Sequence, residues 1–451
     1  MKKLISVILA LVMVLSLVGC VDTADGKKDP DYNSFDNSNS SVVSSEQTEP
    51  IVLSTKDGME FCLVDNGVKE YLEKAKDYDP EDFSSSIVNT YLDYGAKLLP
   101  VYLSWIYEVQ GVTDVNVLIS LSQDMSNAAY YPSEVNAIEI NNLMTGTTYY
   151  WCVEGVVNGE KYTTEVRSFR TEDTVRLIKL SGVGNTRDIG SWKDKNGNSM
   201  RQGLAYRGKA LTDITAEGIA AARQLGIRTQ LDLRSNSEFK ADLVNGASKL
   251  GEDVKTINIP ATQYKAFLND RITAKEIKVF ADWSNYPIYF HCAAGADRTG
   301  SLAFLLQGLC GVEEPSLIMD YELTVYRNKT HAEFPEFVKI IRGFDGETMQ
   351  EKLYNHCRNK FNLTPMELSN IYNIFMTESA VFASNSLTSG RQEASGVSFD
   401  LDLRKSGGVS SVKVNGADVK WSMNGNTLTV KADSGEGIIL LKDGAELKFS
   451  I

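Results

Sequence analysis

The chain has 451 residues, enough for two or three domains. Its 46 lysines and arginines stand against 59 aspartates and glutamates, for a formal net charge of −13. No basic run occurs beyond the N-terminal segment, which argues against nucleic acid as a partner; an anionic substrate would be drawn by a local positive pocket, against the overall field.

Lys2 and Lys3 are followed by an apolar stretch over residues 4–18 and then by Gly19-Cys20. A basic start, a short apolar core and a small residue at the cut describe a secretory signal. The run is shorter than the roughly 20 residues that a membrane span requires. Leu17-Val18-Gly19-Cys20 resembles the bacterial lipobox. That resemblance implies a lipoprotein signal peptide over residues 1–20, lipidation of Cys20, and a mature protein tethered through its lipid to the outside of a bacterial membrane. Residues 21–50 are rich in Ser, Asn and Asp and predict a flexible linker, because they cannot bury enough apolar surface to offset ordering.

Residues 51–85 are ambiguous, with signals for a strand pair and an amphipathic stretch over 68–76. Residues 86–172 read as a β-sandwich: 102–105 is a strand with an inward Trp105, 115–121 alternates in part, and 150–153 and 168–171 supply the last strands. Leu143-Met144-Thr145-Gly146-Thr147-Thr148-Tyr149 resembles the Leu-x-Pro-Gly-Thr-x-Tyr corner of fibronectin type III domains, with Thr145 in place of proline. In that corner the tyrosine hydroxyl closes onto the backbone. A spacer is the expected role.

Strand and helix signals alternate over residues 175–383: helix at 216–225, strand at 229–233, helix at 274–283, strand at 286–290, helices at 301–310 and 367–375. The order predicts an α/β fold with a central sheet flanked by helices. Between the last strand and the helix after it lies His291-Cys292-Ala293-Ala294-Gly295-Ala296-Asp297-Arg298-Thr299-Gly300. A strand, a tight loop and a helix start in that order form an anion cradle, with loop N–H groups and the positive end of the helix converging on one point. Residues Ala293, Ala294, Gly295, Ala296, Asp297, Arg298 and Thr299 would line it, with the Cys292 sulfur at the bottom. A free thiol titrates near 8.5, and a helix N-terminus with a nearby cation lowers it to about 3.5–7.5. Arg298 can hold two phosphate oxygens with its planar fork and holds them better as charge spreads in the transition state. Gly295 lets the backbone turn without blocking the anion.

These residues resemble the Cys-x5-Arg-(Ser/Thr) signature of the protein tyrosine phosphatase superfamily. The nearer likeness is to bacterial tyrosine phosphatases whose loop reads His-Cys-x-Ala-Gly-Lys-Asp-Arg-Thr-Gly. Upstream, Asn185-Thr186-Arg187-Asp188-Ile189-Gly190, Ala205-Tyr206-Arg207-Gly208, and Leu231-Asp232-Leu233-Arg234-Ser235 with Glu238 resemble further blocks of that subgroup, as does Asp320-Tyr321 downstream. The resemblance covers about residues 175–380. It implies hydrolysis of phosphate monoesters through a cysteinyl-phosphate intermediate, with Cys292 as nucleophile, Arg298 steadying the transferring group and Asp297 as general acid. Asp270 is the alternative acid. Ala296 replaces the subgroup's lysine, which is linked there to activity on phosphoinositides, so that activity carries over less readily. The expected substrate is a phosphorylated protein or a small phosphate ester, inositol phosphates included; the alternative is a non-catalytic phospho-ligand binding module.

Several other candidates read as structural. Asp232, Arg234 and Glu238 are expected to be a buried salt-bridged scaffold, Arg187 and Asp188 to be structural, and His291 an orienter of the loop. His331 and His356 are isolated. Cys62, Cys152, Cys310 and Cys357 do not space as a disulfide framework. No Cys/His cluster has metal-ligand spacing, so neither a metal nor a cofactor is predicted. A Ser/Gly-rich stretch over 384–396 separates a last unit, 397–451, in which 397–403, 412–419, 427–430 and 437–441 read as strands between Asn-Gly, Asp-Ser-Gly and Asp-Gly turns, predicting a small antiparallel β domain.

Overall fold

The computed structural model describes residues 49–76, 96–324 and 333–451, which lie in one compact unit. The expected signal peptide with Cys20, nearly all of the expected linker, and His331 lie outside the described residues.

The N-terminal part has two sheets around one core. Ile51–Leu53, Val101–Tyr107 and Ala137–Ile140 form one. Met59–Phe61, Arg167–Thr171, Thr148–Val157, Thr113–Ser120 and Ala129–Pro132 run in that order in the other, with Glu160–Thr163 on the long Thr148–Val157 strand. Alternate residues of both sheets, among them Leu103, Trp105, Val117, Trp151 and Phe169, meet in the core. The Tyr149 hydroxyl accepts from the Met144 N–H at 2.8 Å, closing the corner read in the sequence. The ambiguous residues 51–61 belong to these sheets: Ile51–Leu53 pairs antiparallel with Val101–Tyr107, and Met59–Phe61 pairs parallel with Arg167–Thr171. After them, Asp65 caps the Asn66–Ala75 helix, which buries Val68, Tyr71 and Ala75 at helical spacing.

The central part is a five-stranded sheet in the order Arg187–Asp188, Ala205–Gly208, Ile288–His291, Thr229–Asp232, Lys255–Asn258. Only the first pairing is antiparallel. Ile288–His291 sits in the middle and all four of its residues are buried, as expected of a parallel strand covered on both faces. Gly208 and Asp232 both pair in register with His291, so three strands end together at the edge where the Cys292 loop begins. In open α/β sheets that edge is where ligands bind. The following helix, Asp297–Leu309, is buried from Thr299 to Leu309 and packs against the Ile272–Ala281, Glu314–Glu322, Met349–Asn359 and Pro365–Met376 helices. A helix apolar all round is a core helix, which anchors the loop at its N-terminus.

The C-terminal residues form two antiparallel sheets. Val381–Phe382, Gly396–Asp402, Thr427–Lys431 and Lys420–Asn424 make one; Ala417–Asp418, Val409–Val414, Glu436–Leu441 and Glu446–Ser450 make the other. The strand expected over 412–419 is broken, because Asn415 (φ 52°) and Gly416 (φ 79°) form a left-handed hairpin turn. These sheets dock on the Pro365–Met376 helix: Asn373 donates to the Glu446 carbonyl at 2.8 Å, and Phe399, Val430 and Phe449 join the core that contains Phe375 and Phe290.

Candidate active site

The loop from Cys292 to Thr299 is held from outside by its carbonyls. Ala210 N–H donates to the Ala293 carbonyl at 3.3 Å, Asn185 Nδ2 to Ala294 at 3.0 Å, and Arg207 Nη2 to Gly295 at 3.0 Å and Ala296 at 3.4 Å. The N–H groups of residues 293–299 meet no acceptor among the described residues. Carbonyls drawn outward leave amides turned the other way, and such a nest of unsatisfied N–H groups at a helix N-terminus is an anion site. Gly295 (φ 70°) cannot be replaced without displacement, since a Cβ there would lie 2.4 Å from the Gly208 carbonyl carbon and oxygen. Ala293 is exposed and Ala294, Ala296, Asp297 and Arg298 are half-buried, while Cys292 is 3% exposed.

The side chains of the loop divide by partner. Arg298 Nη1 donates to the Leu233 carbonyl at 3.3 Å, at the end of the neighbouring strand. The Thr299 hydroxyl is buried and has no hydrogen-bond partner among the described residues. Asp297 is the first residue of the helix, and its Oδ1 accepts from the Tyr264 hydroxyl. Asp270 is engaged elsewhere: its Oδ1 accepts from the Ile272 N–H at 2.9 Å, at the start of the Ile272–Ala281 helix.

Behind the loop stands a buried ionic frame. Asp320 takes Arg187 Nε at 3.0 Å and Arg207 Nη1 at 2.6 Å. Burial pushes the Asp320 carboxyl up, but the two guanidiniums outweigh it and hold it below the usual carboxylate range. Burial, and then Arg187, lower Arg207 to about 10, against the opposing pull of Asp320 and Cys292. Arg207 thus faces a carboxylate on one side and the loop on the other. Asp188 pairs with Arg176 at 2.9 Å and accepts from the Gly190 and Gly203 N–H groups. Arg176 also donates to the Leu143 and Asn142 carbonyls, tying this frame to the N-terminal sheets.

His291 is fully buried, and burial lowers its pKa despite Asp232 nearby, so it is neutral. Its Nδ1 lies 3.3 Å from the Cys292 carbonyl and its Nε2 2.9 Å from Gln230 Nε2. With Gln230 donating, Nε2 accepts and Nδ1 carries the hydrogen, an orientation fixed further by Ser248 on Gln230 Oε1 at 2.6 Å. Arg234 bonds both Asp232 oxygens and reaches Asp242 at 2.6 Å. Glu238 closes a capping box with Ser235. His356 sits on the Leu268 carbonyl at 2.8 Å and stacks on Phe344. Among the described cysteines all five are free; burial pushes Cys310 and Cys357 up, away from reactivity.

Three residues given no role by the sequence support the site: Arg207 and Arg176 in the ionic frame and Tyr264 on Asp297. Arg207 stands in the Ala205–Gly208 block that carries part of the family resemblance. The other two carry no local pattern.

Residues 178–374 match the tyrosine phosphatase family. A protein of Cupriavidus necator named as tyrosine-protein phosphatase H16_A0669 is 24% identical over 34% of this chain and 64% of its own length. The triple specificity protein phosphatase PtpB of Mycobacterium tuberculosis is 25% identical over 32% of this chain and 67% of its own. The chain therefore spans about two thirds of the curated relatives it matches. The core catalytic domain of the PP-IP phosphatase SIW14 from S. cerevisiae is 18% identical, covering 33% of this chain and 86% of that one, with a TM-score of 0.24. Over residues 178–374 this chain is thus similar to the tyrosine phosphatase family, with relatives named as phosphatases in two bacteria.

Proposed function

We propose that the chain is a cysteine-dependent phosphatase that hydrolyses phosphate monoesters. The observation that carries this reading is the loop itself: seven consecutive N–H groups, from Ala293 to Thr299, that meet no acceptor among the described residues, in the turn that joins Cys292 to Arg298. A tetrahedral dianion satisfies such a set. Cys292, as thiolate, attacks phosphorus; the bond to the leaving oxygen breaks, and that oxygen takes the proton of Asp297. Water then attacks the cysteinyl phosphate, Asp297 takes its proton, and phosphate and thiolate separate. Arg298 holds the equatorial oxygens through both steps, and the Thr299 hydroxyl is free to donate to the departing sulfur. Neutral, doubly bonded His291 keeps the loop's entrance fixed rather than moving protons.

The substrate we favour is phosphotyrosine in a protein, with inositol phosphates as the second choice. Ala296, where the subgroup's lysine would stand, speaks against a highly charged lipid headgroup. The protein is read as extracytoplasmic and anchored by lipid on Cys20, with the N-terminal sheets as a spacer resembling fibronectin type III. The test is turnover of p-nitrophenyl phosphate by the chain without residues 1–20, with and without vanadate, beside Cys292→Ser. Vanadate-sensitive turnover that the variant lacks is expected. Stoichiometric phosphate capture without release would replace the enzyme by a binding module. A panel of phosphotyrosine peptides, phosphoinositides and inositol phosphates ranks substrates, and labelling with a radioactive fatty acid, lost in Cys20→Ala, tests the anchor.

A further inference from the structure

We propose that Tyr264 is a positioning residue for the Asp297 carboxyl, holding one oxygen so that the other faces the substrate in both protonation states. The proposal rests on the reading of Asp297 as general acid and base.

Tyr264 grips the first turn of the Asp297–Leu309 helix at two points. Its hydroxyl donates to Asp297 Oδ1, and its backbone N–H donates to Ser301 Oγ at 3.1 Å. Ser301 in turn donates to the Asp297 carbonyl at 2.9 Å. Asp297 Oδ2 meets no donor among the described residues. The side chain that should exchange a proton is therefore clamped by one oxygen and open at the other.

The clamp is itself held. The Tyr264 ring lies edge-on to Tyr321 (centroids 6.4 Å, 65°) and to Phe337 (6.1 Å, 70°), and Tyr321 stacks flat on Phe334 (3.5 Å, 6°). The Tyr321 hydroxyl is 2.6 Å from that of Tyr264. Tyr264 also has φ +50°, a conformation that a bulky side chain rarely takes. Such backbones persist where the surroundings over-determine them, and they gather at functional sites.

The chemistry of the clamp suits its client. A carboxyl that gives up and regains a proton through Oδ2 needs a neighbour that holds Oδ1 in both forms. A lysine or arginine would add a full charge and favour the anion at the expense of the acid. A neutral hydroxyl donates to Oδ1 of acid and anion alike, so the exchangeable proton stays on Oδ2. Tyr321, within hydrogen-bond reach of the Tyr264 hydroxyl, helps hold that donor toward Asp297.

The experiment measures kcat/KM, which reports formation of the cysteinyl phosphate, for phosphate esters of rising leaving-group pKa: 4-nitrophenyl, phenyl and 2-phenylethyl. Wild type, Asp297→Asn, Tyr264→Phe, Tyr321→Phe and the Asp297→Asn/Tyr264→Phe double variant are compared. General acid catalysis is worth about 10²–10⁴-fold and matters most for poor leaving groups. Tyr264→Phe should therefore lose about tenfold or more on the phenylethyl ester and less than about twofold on the nitrophenyl ester. The double variant should be no worse than Asp297→Asn alone. Asp297→Asn steepening the series while Tyr264→Phe lowers all esters equally, or none, overturns the positioning role and leaves the acid in place. A series unchanged by Asp297→Asn removes the acid assignment and this proposal with it, whereas absence of Cys292-dependent turnover removes the phosphatase. Should Tyr264→Phe fail to fold, Tyr321→Phe decides: an unchanged series refutes the clamp, a steepened one supports it.

Discussion

Glu276 lies in the Ile272–Ala281 helix with 0% exposure, and neither carboxyl oxygen has a hydrogen-bond partner among the described residues. Burial, and then the charge of Asp270, push it up to about 8. In the unfolded chain it titrates near the ordinary value of 4.5. Below pH 4.5 both states hold the proton. As pH rises from there to about 8 the unfolded chain releases its proton while the native protein keeps it, so stability falls across that window. The gap between about 8 and 4.5, at about 1.4 kcal/mol per pH unit, amounts to about 5 kcal/mol lost by pH 8. Glu276→Gln keeps the shape of the protonated carboxyl and cannot ionise. Its stability should equal wild type at pH 4 and exceed it by about 5 kcal/mol at pH 8. Denaturant titrations of both proteins every half unit of pH measure the difference, in which the shared contribution of Glu322, raised to about 7, cancels. A difference that does not change with pH, or one that grows toward acid, refutes the reasoning.

Gly295→Ala should cost activity at least about a hundredfold in kcat/KM, because its Cβ would press on the Gly208 carbonyl and spread the N–H groups. Asp320→Ala leaves Arg187 and Arg207 buried without their carboxylate and should lower stability by about 3–5 kcal/mol, read from the denaturant midpoint. Thr299→Val replaces a buried hydroxyl that bonds nothing within the described residues, so unfolding should show no loss of stability while turnover falls about tenfold; a structural role would give the reverse.

The strand, loop and helix around 291–300 were legible because the strand and helix are continuous apolar runs and the loop between them holds the glycine that its left-handed turn requires. Asp232 and Arg234 were legible as a scaffold, since buried charges must pair, but Glu238, read with them, is exposed and closes a helix cap with Ser235 instead. Arg176 and Tyr264 were not. Their partners are Asp188 and Asp297, 12 and 33 residues away, and nothing local announces such a pairing. Residues 51–61 were unclear for a like reason: three-residue strands carry too few alternations to reveal a period, and pairing with Val101–Tyr107 and Arg167–Thr171 makes them strands. In the last unit the hairpin at Asn415-Gly416 needs two left-handed residues, which the Asn-Gly pair supplied in plain view; reading 412–419 as one strand passed over it.

Three successive residues on the Glu314–Glu322 helix reach three different places. Asp320 holds the arginines behind the loop, Tyr321 touches Tyr264, and Glu322 accepts from the hydroxyl of Tyr71, on the Asn66–Ala75 helix. Trimming the protein to its matched segment would cut away Tyr71 and the helix that carries it, and with them the donor to a carboxyl one residue from Tyr321. The Asn66–Ala75 helix, which precedes the matched segment, thus supports the Glu314–Glu322 helix, and a fragment beginning near residue 175 should be less stable to denaturant than the longer chain.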